Sequence, residues 1–188
     1  KGPWAKYADK HMTHTYAMNP VPIGKDPPAN FSYVDMYNTS CLNGWTCGNM
    51  ALSAKDAASY YFDLLAPIGP GPPLVSGWSR LQMVQMQPLA KFSWGGTHTH
   101  YGFGVFGLPI CEECPKAQAG APIPKQCRST MRQFIGHGGS DYGSYIIAGY
   151  HPSLNIAFAV GINKDYGTHH DDIDLAFCMG YQSVLKEA

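Results

Sequence analysis

The run Gly136-His137-Gly138-Gly139-Ser140-Asp141-Tyr142-Gly143-Ser144 concentrates more chemistry-bearing residue types than any other stretch of the chain. Glycines let a backbone come close to a ligand, and an imidazole adds a polar edge that titrates near neutral pH. That combination suits an oxyanion or a carboxylate. Taken alone, the same residues also describe a wide surface loop between two strands, carrying an exposed histidine.

Two further histidine groups, and more weakly a third, invite a metal. His98 and His100 alternate in a predicted strand and would share one face, as two zinc ligands must. His169 and His170 precede Asp171 and Asp172, and His11 and His14 stand in an irregular segment. No third ligand is fixed by spacing, and the plain alternative is loop histidines with Asp171 or Asp172 capping a helix. No metal or other cofactor is assigned.

Cysteines stand at 41, 47, 111, 114, 127 and 178, an even number that can pair off completely. Cys41 and Cys47 would close a short Gly-containing loop. Cys111-Glu112-Glu113-Cys114 has the spacing of zinc and redox sites, but no second such pair follows. The Pro/Gly/Ala-rich stretch after it favours a disulfide-stapled loop that includes Cys127. Sequons at Asn30 and Asn38 point the same way, to a secreted or lumenal glycoprotein.

The elements that must position these groups follow from periodicity. Residues 1–50, with Pro20, Pro22, Pro27 and Pro28, hold no sustained period and predict an ordered but irregular segment lying on the domain. Ser53 with Asp56 three residues on starts a helix whose stripe is Ala57, Tyr60, Tyr61, Leu64 and Leu65, and Pro67 stops it. A second short helix is expected from about Ser76 to before Pro88. Strand follows at Tyr101, Phe103, Val105 and Phe106, then the cysteine loop 111–127, then Arg132 to Gly136. Two apolar runs, 142–150 and 154–163, flank His151-Pro152-Ser153 and predict an antiparallel hairpin. A last helix from Asp171 or Asp172 would cover the sheet with Ile173, Ala176, Phe177, Tyr181 and Val184. The fold class is α+β, an antiparallel sheet covered by helices.

Tyr101-Gly102-Phe103-Gly104-Val105-Phe106, then Gly136-His137-Gly138-Gly139, then the hairpin around Pro152 ending in Gly161-Ile162-Asn163, resemble the C-terminal part of the serine β-lactamase and penicillin-binding-protein superfamily. The likeness is to its class C, esterase and D-aminopeptidase branch, and Gly48 to Ala57 is similar to the same branch's passage into a helix. The resemblance runs from about residue 44 to the C-terminus, with 51–188 as the C-terminal portion of a β-lactamase-like domain and 111–127 an insertion. It implies a β-lactamase-like (transpeptidase-like) fold in which His137, Gly138, Gly139 and Ser140 form the third catalytic motif. The Ser140 amide would donate to an oxyanion, and His137 would shape the field beside the nucleophile.

The other two motifs of that family are not in this sequence. The one Ser-x-x-Lys, Ser183 to Lys186, falls in the covering helix, and the one Ser-x-Asn, Ser153 to Asn155, falls in the hairpin turn. No Tyr-x-Asn occurs. The chain is therefore expected to be inert alone as a serine hydrolase. Its expected partner is an N-terminal portion of the same precursor or a second subunit, and its substrate a small-molecule or peptide ester, amide or lactam. The alternative is a non-catalytic structural or binding subunit of an extracellular assembly.

Composition sets the outer bounds. The 188 residues carry 13 Lys+Arg against 13 Asp+Glu, with 14% charged and 45% hydrophobic residues. There is no basic stripe to neutralise phosphates, so no nucleic-acid partner is expected. No apolar stretch reaches the roughly 18 residues that suggest a membrane span. Residue 1 is Lys1 and not Met, from which an upstream segment is expected.

Overall fold

A computed structural model describes residues 16–18, 32–35, 50–69, 71–88, 100–110, 132–141, 143–165 and 183. All six cysteines, Asn30, Asn38, His98, His169 and His170 lie outside them, as does the expected terminal helix except Ser183, which is helical.

The first helix, α1 (Ala54–Leu65), begins where Ser53 and Asp56 place it. The Ser53 hydroxyl accepts from the Asp56 amide at 3.1 Å and donates to the Asp56 carboxylate at 2.7 Å. One side-chain pair so satisfies an amide that the helix start leaves open. The Ala66 amide closes the last turn on the Phe62 carbonyl at 2.8 Å, and the Arg80 guanidinium caps the Ala66 carbonyl. Arg80 belongs to α2 (Gly77–Met83), whose cap is Ser76, accepting from the Ser79 amide at 3.0 Å.

The main sheet has six strands in the order β3 (Gln87–Pro88), β4 (His100–Tyr101), β5 (Phe106–Ile110), β6 (Arg132–Asp141), β7 (Ser144–His151) and β8 (Ile156–Ile162), each antiparallel to its neighbour. Sequence order equals spatial order, so short turns suffice between most neighbours. With two helices described, this is an α+β arrangement. No described helix is long and apolar enough to cross a membrane.

Alternation along β6 and β7 sorts the core into two layers. On one face Phe134, wholly buried, meets Ile147, with Tyr145, Leu154, Phe158, Val160 and Ile162 around them. On the other, register aligns Ile135 with Tyr150 and Tyr150 with Ala157. Leu64, Leu65 and Ala66 of α1 and its C-cap pack on that line, with Met83 and Val84 beside them. Each buried leucine contributes about 1.5–3 kcal/mol. Because both faces of β7 are covered, Ile147 to His151 are buried in succession, which explains why the sequence shows an apolar run there and no alternation.

Three expectations need correction. The stretch from Gly136 to Asp141 is not a loop: it is the second half of β6, paired to β7 as far as Asp141 opposite Ser144. The run from Tyr101 to Phe106 is not one strand, because Gly102 to Val105 form a tight turn, closed by the Gly102 amide on the Val105 carbonyl at 2.8 Å with Gly104 at φ 74°. The segment 1–50 is not wholly irregular. It supplies β1 (Tyr16–Met18) and β2 (Tyr33–Asp35), and β1 runs parallel to β9 (Lys164–Asp165) in a separate three-stranded sheet.

Candidate functional site

The β6 strand changes character at His137. From Arg132 to Gly136 it is internal, with β5 on one side and β7 on the other. The β5 pairing ends at Phe106 opposite Gly136, whereas the β7 pairing continues through His137–Ala148, Gly138–Ile147, Gly139–Ile146 and Ser140–Tyr145. Among the described residues, Gly138 to Asp141 thus have no strand partner on the β5 side. Within that set they form an edge of the kind whose backbone can pair with an extended segment.

The pairing ends there because β4 and β5 turn back through Gly102 to Val105. That turn is held against α2 by the Phe103 amide, which donates to the Met83 carbonyl at 3.0 Å. A Cβ on Gly102 would collide with the same carbonyl, so glycine is required for the approach. The turn delivers two rings to His137. The Phe106 ring lies 4.7 Å from the imidazole centroid at a tilt of 37°, and the Tyr101 ring lies edge-on at 5.8 Å and 82°. Both separations fall within the range of favourable aromatic contacts.

Polar contacts complete the setting of His137, which is half-buried. Nε2 is 3.1 Å from the Tyr101 hydroxyl, and Nδ1 is 2.6 Å from the Gly138 carbonyl. Above Tyr101, Tyr61 of α1 has its phenol pushed up to about 12, by burial first and then by the neighbouring Tyr60 and Tyr101 hydroxyls. The Tyr61 phenol is therefore neutral at physiological pH.

Small residues stand across the ladder from the histidine, with Ala148 buried. His137 faces Ala148, which faces Ala159 on β8. A Cβ on Gly139 would meet nothing within 4 Å, whereas one on Gly138 would press the Ile146 carbonyl at 3.2 Å and the Phe106 ring at 3.6 Å. Gly138 is close-packed and Gly139 is open. Among the described residues, the room for an added side chain here is at Gly139.

Of the residues singled out by sequence, His137, Gly138, Gly139 and Ser140 stand consecutively on this strand, with Ser140 opposite Tyr145. Ser153 and Asn155 do not join them: they sit in the β7–β8 turn, where the Asn155 side-chain oxygen accepts from the Tyr150 hydroxyl at 2.9 Å. His100 is exposed on β4, and no group of three metal-binding side chains occurs among the described residues. Sequence reasoning placed Tyr101 and Phe106 in a strand but not at the site. The only signal was their glycine-punctuated run, which marks close backbone approaches without naming the partner. No protein-family model, curated protein or solved structure matches the chain, so no relative supplies a fold family or an activity.

Proposed function

We propose that the second half of β6 is one wall of an acyl-transfer site of the β-lactamase-like kind, completed by polypeptide outside these 188 residues. The observation that supports this reading is the stretch from Gly138 to Asp141, unpaired on the β5 side among the described residues and flanked by His137 on a glycine-bearing strand. An extended ester, amide or lactam lies along that edge and places its carbonyl oxygen at the Ser140 amide. A serine from a Ser-x-x-Lys helix of the N-terminal portion, or of a partner subunit, bonds the carbonyl carbon. The serine hydroxyl proton passes to the alcohol or amine, which departs from an ester or amide and stays tethered in an opened lactam, and water then cleaves the acyl ester.

The test is covalent labelling of the full-length natural polypeptide with a fluorescent penicillin and with a fluorophosphonate. The expected result is an adduct on a serine outside residues 1–188, formed more slowly when Gly139→Val fills the edge. A folded full-length protein that takes up neither probe, or an adduct on a serine inside these residues, refutes the proposal.

One observation favours a second reading, a binding subunit without catalysis. Both imidazole nitrogens of His137 are already engaged within the chain, as in a histidine that serves packing. Under that reading an extended peptide still binds the β6 edge, but no probe reacts.

A further inference from the structure

Two contacts decide how His137 can act. A carbonyl oxygen only accepts, so the 2.6 Å contact between Nδ1 and the Gly138 carbonyl puts a hydrogen on Nδ1. Nε2 of the neutral ring then carries the lone pair, and the Tyr101 hydroxyl at 3.1 Å is its donor. Tilted contact with the Phe106 ring fixes the plane of the imidazole between these two partners.

We propose that Tyr101 is a positioning residue for this site: its hydroxyl donates to Nε2 of His137 and thereby holds the imidazole as the Nδ1–H tautomer, with Nδ1 donating to the Gly138 carbonyl. The proposed tautomer stands on the geometry alone, while its role in catalysis rests on the function proposed above. Three strands cooperate in it. Tyr101 ends β4, its register partner Phe106 begins β5, and Phe106 pairs with Gly136 next to His137. The turn of Gly102 to Val105 therefore brings a phenol and a phenyl ring to one imidazole.

Two chemical consequences follow. With Nε2 engaged by Tyr101, His137 does not take a proton from a nucleophile without first losing that bond, so it shapes the wall instead of acting as the base. The Gly138 carbonyl, at the start of the open edge, is likewise already engaged by a donor of its own chain. A docked ligand is then left with the Gly138 amide and the backbone groups of Ser140, because alternate residues of the strand turn theirs to β7. Tyr61, kept neutral by burial, adds no charge beside the Tyr101 hydroxyl.

The experiment is 15N NMR of the imidazole nitrogens in the intact chain, with His137 assigned by the resonances that vanish in His137→Gln. The expected spectrum of the neutral ring, recorded at mildly alkaline pH, shows Nδ1 protonated and Nε2 unprotonated. In Tyr101→Phe the protonated nitrogen shifts in population toward Nε2, while the melting temperature changes little. A wild-type ring protonated on Nε2, or a Tyr101→Phe ring with an unchanged pattern, overturns the proposal. The wild-type spectrum decides the tautomer even if the variant fails to fold.

In the full-length protein, Tyr101→Phe is expected to slow acylation about tenfold, one hydrogen bond's worth, with probe affinity unchanged. If affinity falls and the acylation rate holds, the positioning role is refuted. If no probe reacts with the unaltered protein, the acyl-transfer reading fails while the tautomer is still decided by NMR.

Discussion

Alanine at Gly136 or Gly149 should open the sheet at the point where β6 becomes an edge. The two glycines are register partners across β6 and β7. A Cβ on Gly136 collides with the Ala148 carbonyl oxygen and lies 2.6 Å from the Gly149 Cα. A Cβ on Gly149 collides with the Ile135 carbonyl oxygen and lies 2.6 Å from the Phe134 ring and 2.7 Å from the Gly136 Cα. Comfortable carbon contacts begin at about 3.5 Å, so the strands must part by about 1 Å in a ladder whose normal spacing is about 4.8 Å. Most of the obstructing atoms are backbone, and no side-chain rotation relieves them. Overpacking of this kind costs about 1–3 kcal/mol, and two weakened ladder bonds add about 1 kcal/mol each. Either variant should therefore lose about 3–5 kcal/mol, a fall in Tm of roughly 6–20 °C for a chain of this size.

Gly139→Ala and Gly161→Ala serve as controls, because the added methyl meets nothing within 4 Å at Gly139 and only the Tyr145 carbonyl at 3.8 Å at Gly161. Neither residue is among the positive-φ positions, so alanine there is expected to be neutral or stabilising by up to about 1 kcal/mol. Urea unfolding followed by far-UV circular dichroism compares all four. If Gly136→Ala falls within about 0.5 kcal/mol of Gly139→Ala, the close approach of β6 and β7 is refuted.

Tyr61 sets an alkaline limit. Its folded pKa of about 12 stands above the ordinary 10.0, so the unfolded chain loses this proton first. The stability it carries is whole below pH 10 and is lost as pH rises through about 12, and Tyr61→Phe should flatten that limb of the stability–pH curve. In the β7–β8 turn, Asn155 has φ 54° and accepts from Tyr150. Asn155→Ala should cost about 1–2 kcal/mol for the left-handed backbone and about 1 kcal/mol more for the lost bond, while Asn155→Gly recovers the first part. Equal losses in the two variants, measured by thermal unfolding, would contradict the backbone strain. Ser53→Ala should cost about 1 kcal/mol by removing the α1 cap, and Ser53→Thr should retain most of it.

Local signals made the helices legible. Ser53 and Asp56 start α1 and Pro67 follows its end, because capping and proline act within one turn of the residues that carry them. The β7–β8 hairpin was readable for the same reason, from two apolar runs around Pro152. The second half of β6 was not. Glycine, histidine and serine have weak intrinsic strand preference, and their extension is set by Tyr145 to Ala148 across the ladder, a tertiary partner no local window contains. Likewise β1 is three residues long and pairs with Lys164 and Asp165 at the far end of the sequence. At the site, His137 and the glycines announced themselves by type. Tyr101, 36 residues earlier, did not, because its nearness is fixed by the registers of β4, β5 and β6 together.

One strand meets two opposite demands within six residues, and glycine serves each differently. At Gly136 the absent side chain allows β6 and β7 to approach until a Cβ no longer fits, which anchors the strand. At Gly139 the absent side chain leaves space that no described residue fills. Between them His137 is clamped by Tyr101, Phe106 and the Gly138 carbonyl, so the edge starts from a fixed point instead of fraying. Exposed strand edges are ordinarily guarded by Lys, Pro or inward charges. The sequence from Gly138 to Asp141 offers only Asp141, at its end. Among the described residues this edge stays unpaired beside the imidazole, and for that reason both readings proposed above place their ligand at β6.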